Sequence, residues 1–248
     1  MLEVFNHPQL NNIKLAPIKF RANVSRIKDF GLFEKQDIFE NGNKYVSESI
    51  VKSAIQKNPN ILKILRENNL PVKINKEELE ALKTGHMKDT RVIVAKMHSS
   101  LPKEWKQEVN LQDLQNAAMC HDVGKSLIPE KILNKKGKLT SEEKDIMDLH
   151  SELGYEILKG SGLNKNTLEI IKYHHQTLDG AGYPKVGAKY ECPKSVQILN
   201  VADKYSALTE ERAYKKAFSR EDALNIISED VKNGKIASDV FEVLNKVV

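Results

Sequence analysis

Five of the seven histidines in this 248-residue sequence fall at helix-sized intervals: His86, His121, His150, His174 and His175. Two aspartates, Asp122 and Asp203, accompany them. Imidazole nitrogen suits a transition metal, and a carboxylate can bridge two metals. In the run His121-Asp122-Val123-Gly124-Lys125 a His-Asp doublet supplies two adjacent ligands of different hardness. Such a doublet arises often by chance. In this company it reads as part of one metal centre assembled from several helices. Lys125 sets a cation beside that centre, and a metal with a nearby lysine suits phosphate chemistry. No nucleophilic triad of Ser or Cys stands out as a rival. His7 and His98 read as ordinary surface or core histidines.

Helices must bring these residues together. Ser47 to Lys57 reads as a short helix stopped by Asn58-Pro59, and Ile61 to Asn68 as another. The composition changes at Pro71–Asn75. Asn75 with Glu78 resembles a capping box, and Leu79, Leu82, His86, Ile93 and Met97 then run along one helix to about Ser99. A second long helix starts after Asn110 and ends near Asp122, with Gly124 placed to stop it. Thr140 with Glu143 opens a helix carrying Ile146, Met147, His150 and Leu153. Asn164 caps a helix ending at His174-His175. Neighbouring residues on a helix point about 100° apart, so those two rings should diverge and serve two neighbouring metals better than one. Residues 176–190 are glycine-rich and form a loop. Helices follow from Pro193 to about Thr209 with Asp203, from Ser219 to Asn233 closed by Gly234, and from Asp239 to Val247. The expected fold class is all-α. A small, mostly irregular N-terminal segment comes first, with turn signals at Asn41-Gly42-Asn43 and a trace of alternation at Ile18-Lys19-Phe20.

The bulk properties exclude other classes. Apolar residues make up 40% and charged residues 29%, ordinary values for a soluble globular chain. No apolar run approaches the roughly 20 residues that span a bilayer. Met1 to Asn12 lacks the pattern of a secretory signal, so the expected location is cytoplasmic. The two cysteines, Cys120 and Cys192, are no disulfide framework. Cys120 reads as a small buried apolar residue, not a ligand. Residues 1–75 carry 12 basic and 7 acidic side chains, and residues 76–248 carry 27 of each. That modest basic excess makes a solvated surface and not a nucleic-acid patch, since no aromatic residues interleave it.

Further runs complete the pattern: Leu127-Ile128-Pro129, Ile132-Leu133, His174-His175-Gln176, Asp179-Gly180-Ala181-Gly182-Tyr183-Pro184, Val201-Ala202-Asp203, Ala207-Leu208-Thr209 and Arg212-Ala213-Tyr214-Lys215. In that order, over about residues 77–233, the sequence resembles the HD-GYP family of the HD superfamily of metal-dependent phosphohydrolases. The resemblance implies an HD-domain helical bundle over 76–248, with residues 1–75 as a segment of unknown role. It implies hydrolysis of cyclic di-GMP to the linear dinucleotide, with GMP from a second cleavage, by a hydroxide bridging two divalent metals. Iron or manganese is the family's usual choice, and nickel or zinc suits the same ligands. His86, His121, Asp122, His150, His174, His175 and Asp203 match the metal ligands, with Asp122 as the bridge. Lys125 matches a phosphate-contacting lysine, and Asp122 and Lys125 are the catalytic pair. Asp179, Gly180, Gly182, Tyr183 and Pro184 match the pocket loop. Arg212 and Lys215 match phosphate-binding positions, and they fit surface ion pairs with Glu210 or Glu211 equally well.

The sequence also departs from the family. An acidic ligand four residues before the first histidine, which helps hold a third metal in some members, is here Leu82, so two metals are expected. Gln176 replaces a glutamate, Ser206 an aspartate and Ala213 a proline. These changes touch the surroundings of the ligands, where affinity and rate are tuned. They leave open a different nucleotide or cyclic dinucleotide as substrate. A third reading is a non-catalytic module that binds the messenger or a protein partner. Tyr183, Pro184 or the N-terminal segment would supply a partner surface, and a homodimer is compatible with all three readings.

Overall fold

The computed structural model describes residues 44–211 and 216–248. The expectations for residues 1–43, and for Arg212, Ala213, Tyr214 and Lys215, lie outside the described residues. The chain forms helices α1 (Glu48–Lys57), α2 (Pro59–Glu67), α3 (Lys76–Leu82), α4 (His86–Ser99), α5 (Lys103–Glu108) and α6 (Leu111–Cys120). A 3-10 turn over Val123–Leu127 leads to α7 (Glu130–Leu133), α8 (Ser141–Leu158), α9 (Lys165–Tyr173), α10 (Lys194–Thr209), α11 (Arg220–Lys232) and α12 (Ser238–Val247). The fold is all-α among the described residues. Its one β-type pairing there is an isolated bridge between His175 and Tyr183.

Side chains that satisfy the free N–H groups of a first turn mark the helix starts. Asn75 accepts from the Glu78 N–H, Asn110 from Asp113, Asn164 from Thr167 and Ser219 from Asp222. Thr140 and Glu143 form a reciprocal capping box. Each such cap contributes about 1 kcal/mol. Asn58 does two things: its N–H donates to the Ala54 carbonyl to end α1, and its side chain accepts from the Asn60 N–H to start α2, with Pro59 in the first turn.

Three expectations are corrected. The single helix expected from Asn75 to Ser99 is two, because Gly85 adopts φ +67° and breaks it. His86 is therefore the first residue of α4, not an interior one. The helix after Asn110 ends near Asp122 as expected, with Cys120 its last residue, but Gly124 does not stop it and sits inside the 3-10 turn. The helix expected to run through His175 ends at Tyr173, leaving both histidines beyond its last turn.

Helix α4 packs on α6 and α10, α6 on α9, α9 on α8, and α8 on the 3-10 turn. Met97, Leu114, Leu153, Ile170 and Leu199 are fully buried in the resulting core, each favouring the fold by about 1.5–3 kcal/mol. The contact of α8 with the 3-10 turn is unusually close. A Cβ on Gly124 would stand 1.9 Å from the His150 carbonyl oxygen, and one on Gly154 3.2 Å from the His121 carbonyl. Two glycines thus let the backbone of the His-Asp doublet lie directly against the helix that carries His150. Helices α1 and α2 are fastened to the far end of α8, where buried Glu156 accepts from Asn58 Nδ2 at 2.6 Å and Asn60 Nδ2 at 3.3 Å.

Candidate metal centre

Five segments converge on one buried point. The start of α4 supplies His86, the end of α6 supplies His121 and Asp122, and the middle of α8 supplies His150. The chain just past α9 supplies His174 and His175, and α10 supplies Asp203. Their donor atoms form two groups, His86 with His121 and Asp203, and Asp122 with His150, His174 and His175; within each, all atoms lie within 4.8 Å of one another. The groups touch. His121 Nε2 lies 3.3 Å from Asp203 Oδ1 and 3.5 Å from Asp122 Oδ2, while Asp122 Oδ1 lies 3.4 Å from His150 Nε2. Asp122 stands between the two sets. All seven expected ligand positions are thereby brought together.

The ring orientations fit metal ligation. His121 Nδ1 donates to the Ala118 carbonyl at 3.1 Å, His150 Nδ1 to Met147 at 2.7 Å and His174 Nδ1 to Ile171 at 2.7 Å. A carbonyl only accepts, so each Nδ1 carries the proton and each Nε2 turns a lone pair inward. His86 is set differently: its Nδ1 lies 3.0 Å from Ser206 Oγ, and its Nε2 2.7 Å from Asp203 Oδ1. Buried His121 Nε2 and Asp122 Oδ1 have no hydrogen-bond partner among the described residues. Orphaned buried polar atoms are costly, and a cation would satisfy both. The donor set, imidazole nitrogens with carboxylate oxygens, suits iron, manganese, nickel or zinc.

The electrostatics differ between the groups. Burial lowers the His150 imidazole to a pKa of about 4 and His174 to about 3, and pushes His175 well below the usual histidine range. These rings are neutral donors. For His121 burial opposes charging, but the carboxylates of Asp122 and Asp203 outweigh it and raise its pKa. Asp122 is also buried, yet Lys125, His121 and His150 hold its carboxyl well below the usual carboxylate range. Lys125 Nζ donates to Asp122 Oδ2 at 2.6 Å, so the lysine faces the centre through the aspartate.

The loop residues divide. Tyr183 stacks on His175, with ring centroids 4.6 Å apart and planes at 29°, and meets the edge of His150 at 5.9 Å. Gly182 presses against the His175 carbonyl, where a Cβ would stand 2.2 Å away. Gly180 has φ +71°. The Pro184 carbonyl accepts from Gln176 Nε2. Asp179 is exposed and accepts from Thr177 Oγ1 and the Ala181 N–H, so it shapes the turn. The expectation that His174 and His175 diverge towards separate metals is corrected: their centroids are 4.0 Å apart and both belong to one donor group, because His175 has left the helix. Cys120 is buried and donates to the Asn116 carbonyl, away from the donors. His98 bonds the Val109 carbonyl.

Two contributors escaped the sequence reading. Asn200 Nδ2 donates to the carbonyls of His174 at 2.8 Å and Gln176 at 3.3 Å. Lys144 Nζ stands 5.3 Å above the Tyr183 ring. Asn200 had one available signal, an amide three residues before a candidate ligand on the same helix. Lys144 looked like any exposed helix lysine.

Comparison with known proteins places the chain. The HD domain profile matches residues 73–240. A cyclic di-GMP phosphodiesterase of Thermotoga maritima is 38% identical over 143 residues, covering 56% of this chain and 38% of that protein. The 3'3'-cGAMP-specific phosphodiesterase 1 of Vibrio cholerae is 34% identical over 154 residues, covering 61% of this chain and 35% of that one. The chain thus spans little more than a third of the length of these relatives. In solved structures, the HDG"Y"P protein Bd1817 of Bdellovibrio bacteriovorus superposes with a TM-score of 0.55 at 16% identity, over 85% of this chain and 70% of that one; this likeness speaks to the fold.

Proposed function

We propose that this chain, which belongs to the HD domain family, is a member of its HD-GYP branch and a metal-dependent phosphodiesterase that opens cyclic di-GMP to the linear dinucleotide, with GMP from a second cleavage. The observation that carries this reading is the meeting of two donor groups at Asp122. His86, His121 and Asp203 would hold one divalent ion, and His150, His174 and His175 another, with Asp122 between them. Iron or manganese is the expected pair. When bound, such ions polarise a phosphoryl oxygen and lower the pKa of water so that a nucleophile exists at neutral pH.

The protein's own residues would do the rest. The helix carbonyls of Ala118, Met147 and Ile171 fix three rings, so no reorientation is needed as charge develops. Lys125 neutralises Asp122 in the resting centre. The Lys125 ammonium, beside Asp122, would face a phosphate oxygen of the bound nucleotide, and Arg212 and Lys215 would bind the second phosphate. The loop at Gly180, Gly182, Tyr183 and Pro184, entered at Asp179, would wall the pocket.

Residues 76–248 would form the catalytic domain, and residues 1–75 an extension whose α1 and α2 dock on α8. No described helix is long and apolar enough to cross a membrane, which agrees with a cytoplasmic enzyme acting on a small nucleotide. A protein partner would meet the loop at Tyr183 or the N-terminal extension, and a homodimer is compatible. Relatives named for 3'3'-cGAMP at similar identity favour a second reading, in which another cyclic dinucleotide is the preferred substrate.

The test is product analysis. Anaerobically purified protein loaded with iron or manganese is offered cyclic di-GMP, 3'3'-cGAMP and cyclic di-AMP, with the double variant His121→Ala/Asp122→Ala as control. Linear dinucleotide or GMP formed from cyclic di-GMP, and absent in the control, supports the reading. Cleavage of another member of the panel alone moves the assignment to that nucleotide. No product with metal bound would refute the enzyme.

A further inference from the structure

Four of the five histidine rings in the centre are turned by a hydrogen-bonding partner at Nδ1: Ala118, Met147 and Ile171 carbonyls for three, and the Ser206 hydroxyl for His86. His175 is the exception. It lies beyond the last turn of α9 and is only partly buried. Among the described residues neither of its ring nitrogens has a hydrogen bond. An imidazole without such a partner rotates about its χ2 bond, and ordering it on a metal costs conformational entropy.

A second ring takes the place of the missing hydrogen bond. Tyr183 stacks on His175 at 4.6 Å and 29°, and its own loop is tied to the same stretch at three further points. The Tyr183 N–H donates to the His175 carbonyl at 3.4 Å, Gln176 Nε2 donates to the Pro184 carbonyl, and Gly182 approaches so closely that a Cβ would meet Gln176 Cα at 2.6 Å. From the opposite side Asn200 holds the carbonyls of His174 and Gln176. The His175 backbone is therefore fixed between α10 and the loop, and Tyr183 faces the imidazole, whose χ1 and χ2 torsions are left over.

We propose that Tyr183 is a positioning residue for the metal centre: its ring orients the His175 imidazole, so that the segment 180–184 clamps the second donor group in addition to lining the pocket. The proposal rests on reading Asp122, His150, His174 and His175 as a metal site, and not on which nucleotide is cleaved. The stack needs the planar ring and not the hydroxyl. It acts on one group of donors only, since Tyr183 meets His175 and His150 and not His86 or His121.

The experiment is a titration of the metal-free full-length chain with Mn2+ alone, followed by the free-ion EPR signal, on wild type and on Tyr183→Phe, Tyr183→Leu and Tyr183→Ala. Removing a contact that orients a ligand typically weakens metal binding about 10–100-fold. The expected result is two classes of bound ion in wild type and Tyr183→Phe. In the Leu and Ala variants one class weakens about 10–100-fold and the other is unchanged. The Leu variant keeps apolar bulk in the loop, so the comparison survives if Tyr183→Ala fails to fold. Wild-type affinities in both Leu and Ala variants would overturn the clamp. An equal loss in Tyr183→Phe would overturn the role of the ring. No bound ion in wild type would overturn the metal-site reading itself, a separate failure visible before any variant is compared.

Discussion

The two donor groups are held by different forces. In the first, His86 and Asp203 form a contact of 2.7 Å across 117 residues of sequence, and His121 adds its ring to the same carboxylate. One carboxylate shared by two imidazoles organises that half, and it helps raise the pKa of His121. The second half has three neutral imidazoles around Asp122, with His150 and His174 depressed to pKa values of about 4 and 3. Backbone carbonyls and a stacked ring hold those side chains against their mutual crowding. One half is built around a shared carboxylate, the other around neutral imidazoles. The second therefore has fewer protons to displace on taking up metal.

The comparison can be broken hardest at Asp122, which belongs to both halves. Asp122→Ala should lower kcat/KM by about 10³-fold or more, equivalent to about 4 kcal/mol, and empty both halves by metal analysis. Retention of either ion would mean that the halves are independent sites. One step down, His86→Ala and His150→Ala should each lower the bound-metal count from two towards one, with activity falling about 10²-fold. Loss of both ions from either variant would contradict the division.

Acid separates the halves in the metal-free protein. His150 and His174 have folded-state pKa values below the unfolded value of about 6.5, so the unfolded chain binds more protons below that pH. Stability is then present above pH 6.5 and lost as the pH falls towards about 4. His121, with its raised pKa, works the other way: its contribution is present below pH 6.5 and lost as the pH rises above it. Three depressed rings, His175 included, against one raised ring predict a net loss of stability from about pH 6.5 to about pH 4 in urea unfolding. A flat profile would contradict the picture of the second half.

Smaller effects sharpen the scaffold. Gly124→Ala would force a Cβ into the His150 carbonyl and should destabilise the fold by about 1–3 kcal/mol, seen as a lowered urea midpoint. Glu156→Ala removes the acceptor for Asn58 and Asn60 and should cost about 1 kcal/mol. It should leave the metal content of both halves unchanged, since Glu156 lies at the far end of α8. A selective loss from the His150 half would show that α8 transmits strain along its length.

The helices were legible because their starts are written in short polar residues, Asn75, Asn110, Thr140, Asn164 and Ser219. Each of these caps holds in the structure. The convergence of His86, His121, Asp122, His150, His174, His175 and Asp203 was legible from residue type and order. What sequence periodicity could not supply was where a helix stops short. Gly85 broke one helix at His86, and the end of α9 at Tyr173 reversed the expected splaying of His174 and His175. Both depend on backbone angles within one or two residues, where tertiary contacts override local preference. Gly124 was misread for a related reason: its lack of a side chain answers to the approach of α8, which is far away in the sequence. Asn200 stayed hidden because its partners are backbone carbonyls, and these leave no mark on composition.

That amide has a consequence for how the centre fills. Asn200 lies on the helix that supplies Asp203 to one half, and its Nδ2 holds the chain that supplies His174 and His175 to the other. One helix thus carries a ligand of the first half and fixes the backbone of two ligands of the second. Asn200→Ala should accordingly loosen the chain that carries His174 and His175 and weaken the ion class they hold in the Mn2+ titration, while the class at His86 and Asp203 keeps its wild-type affinity.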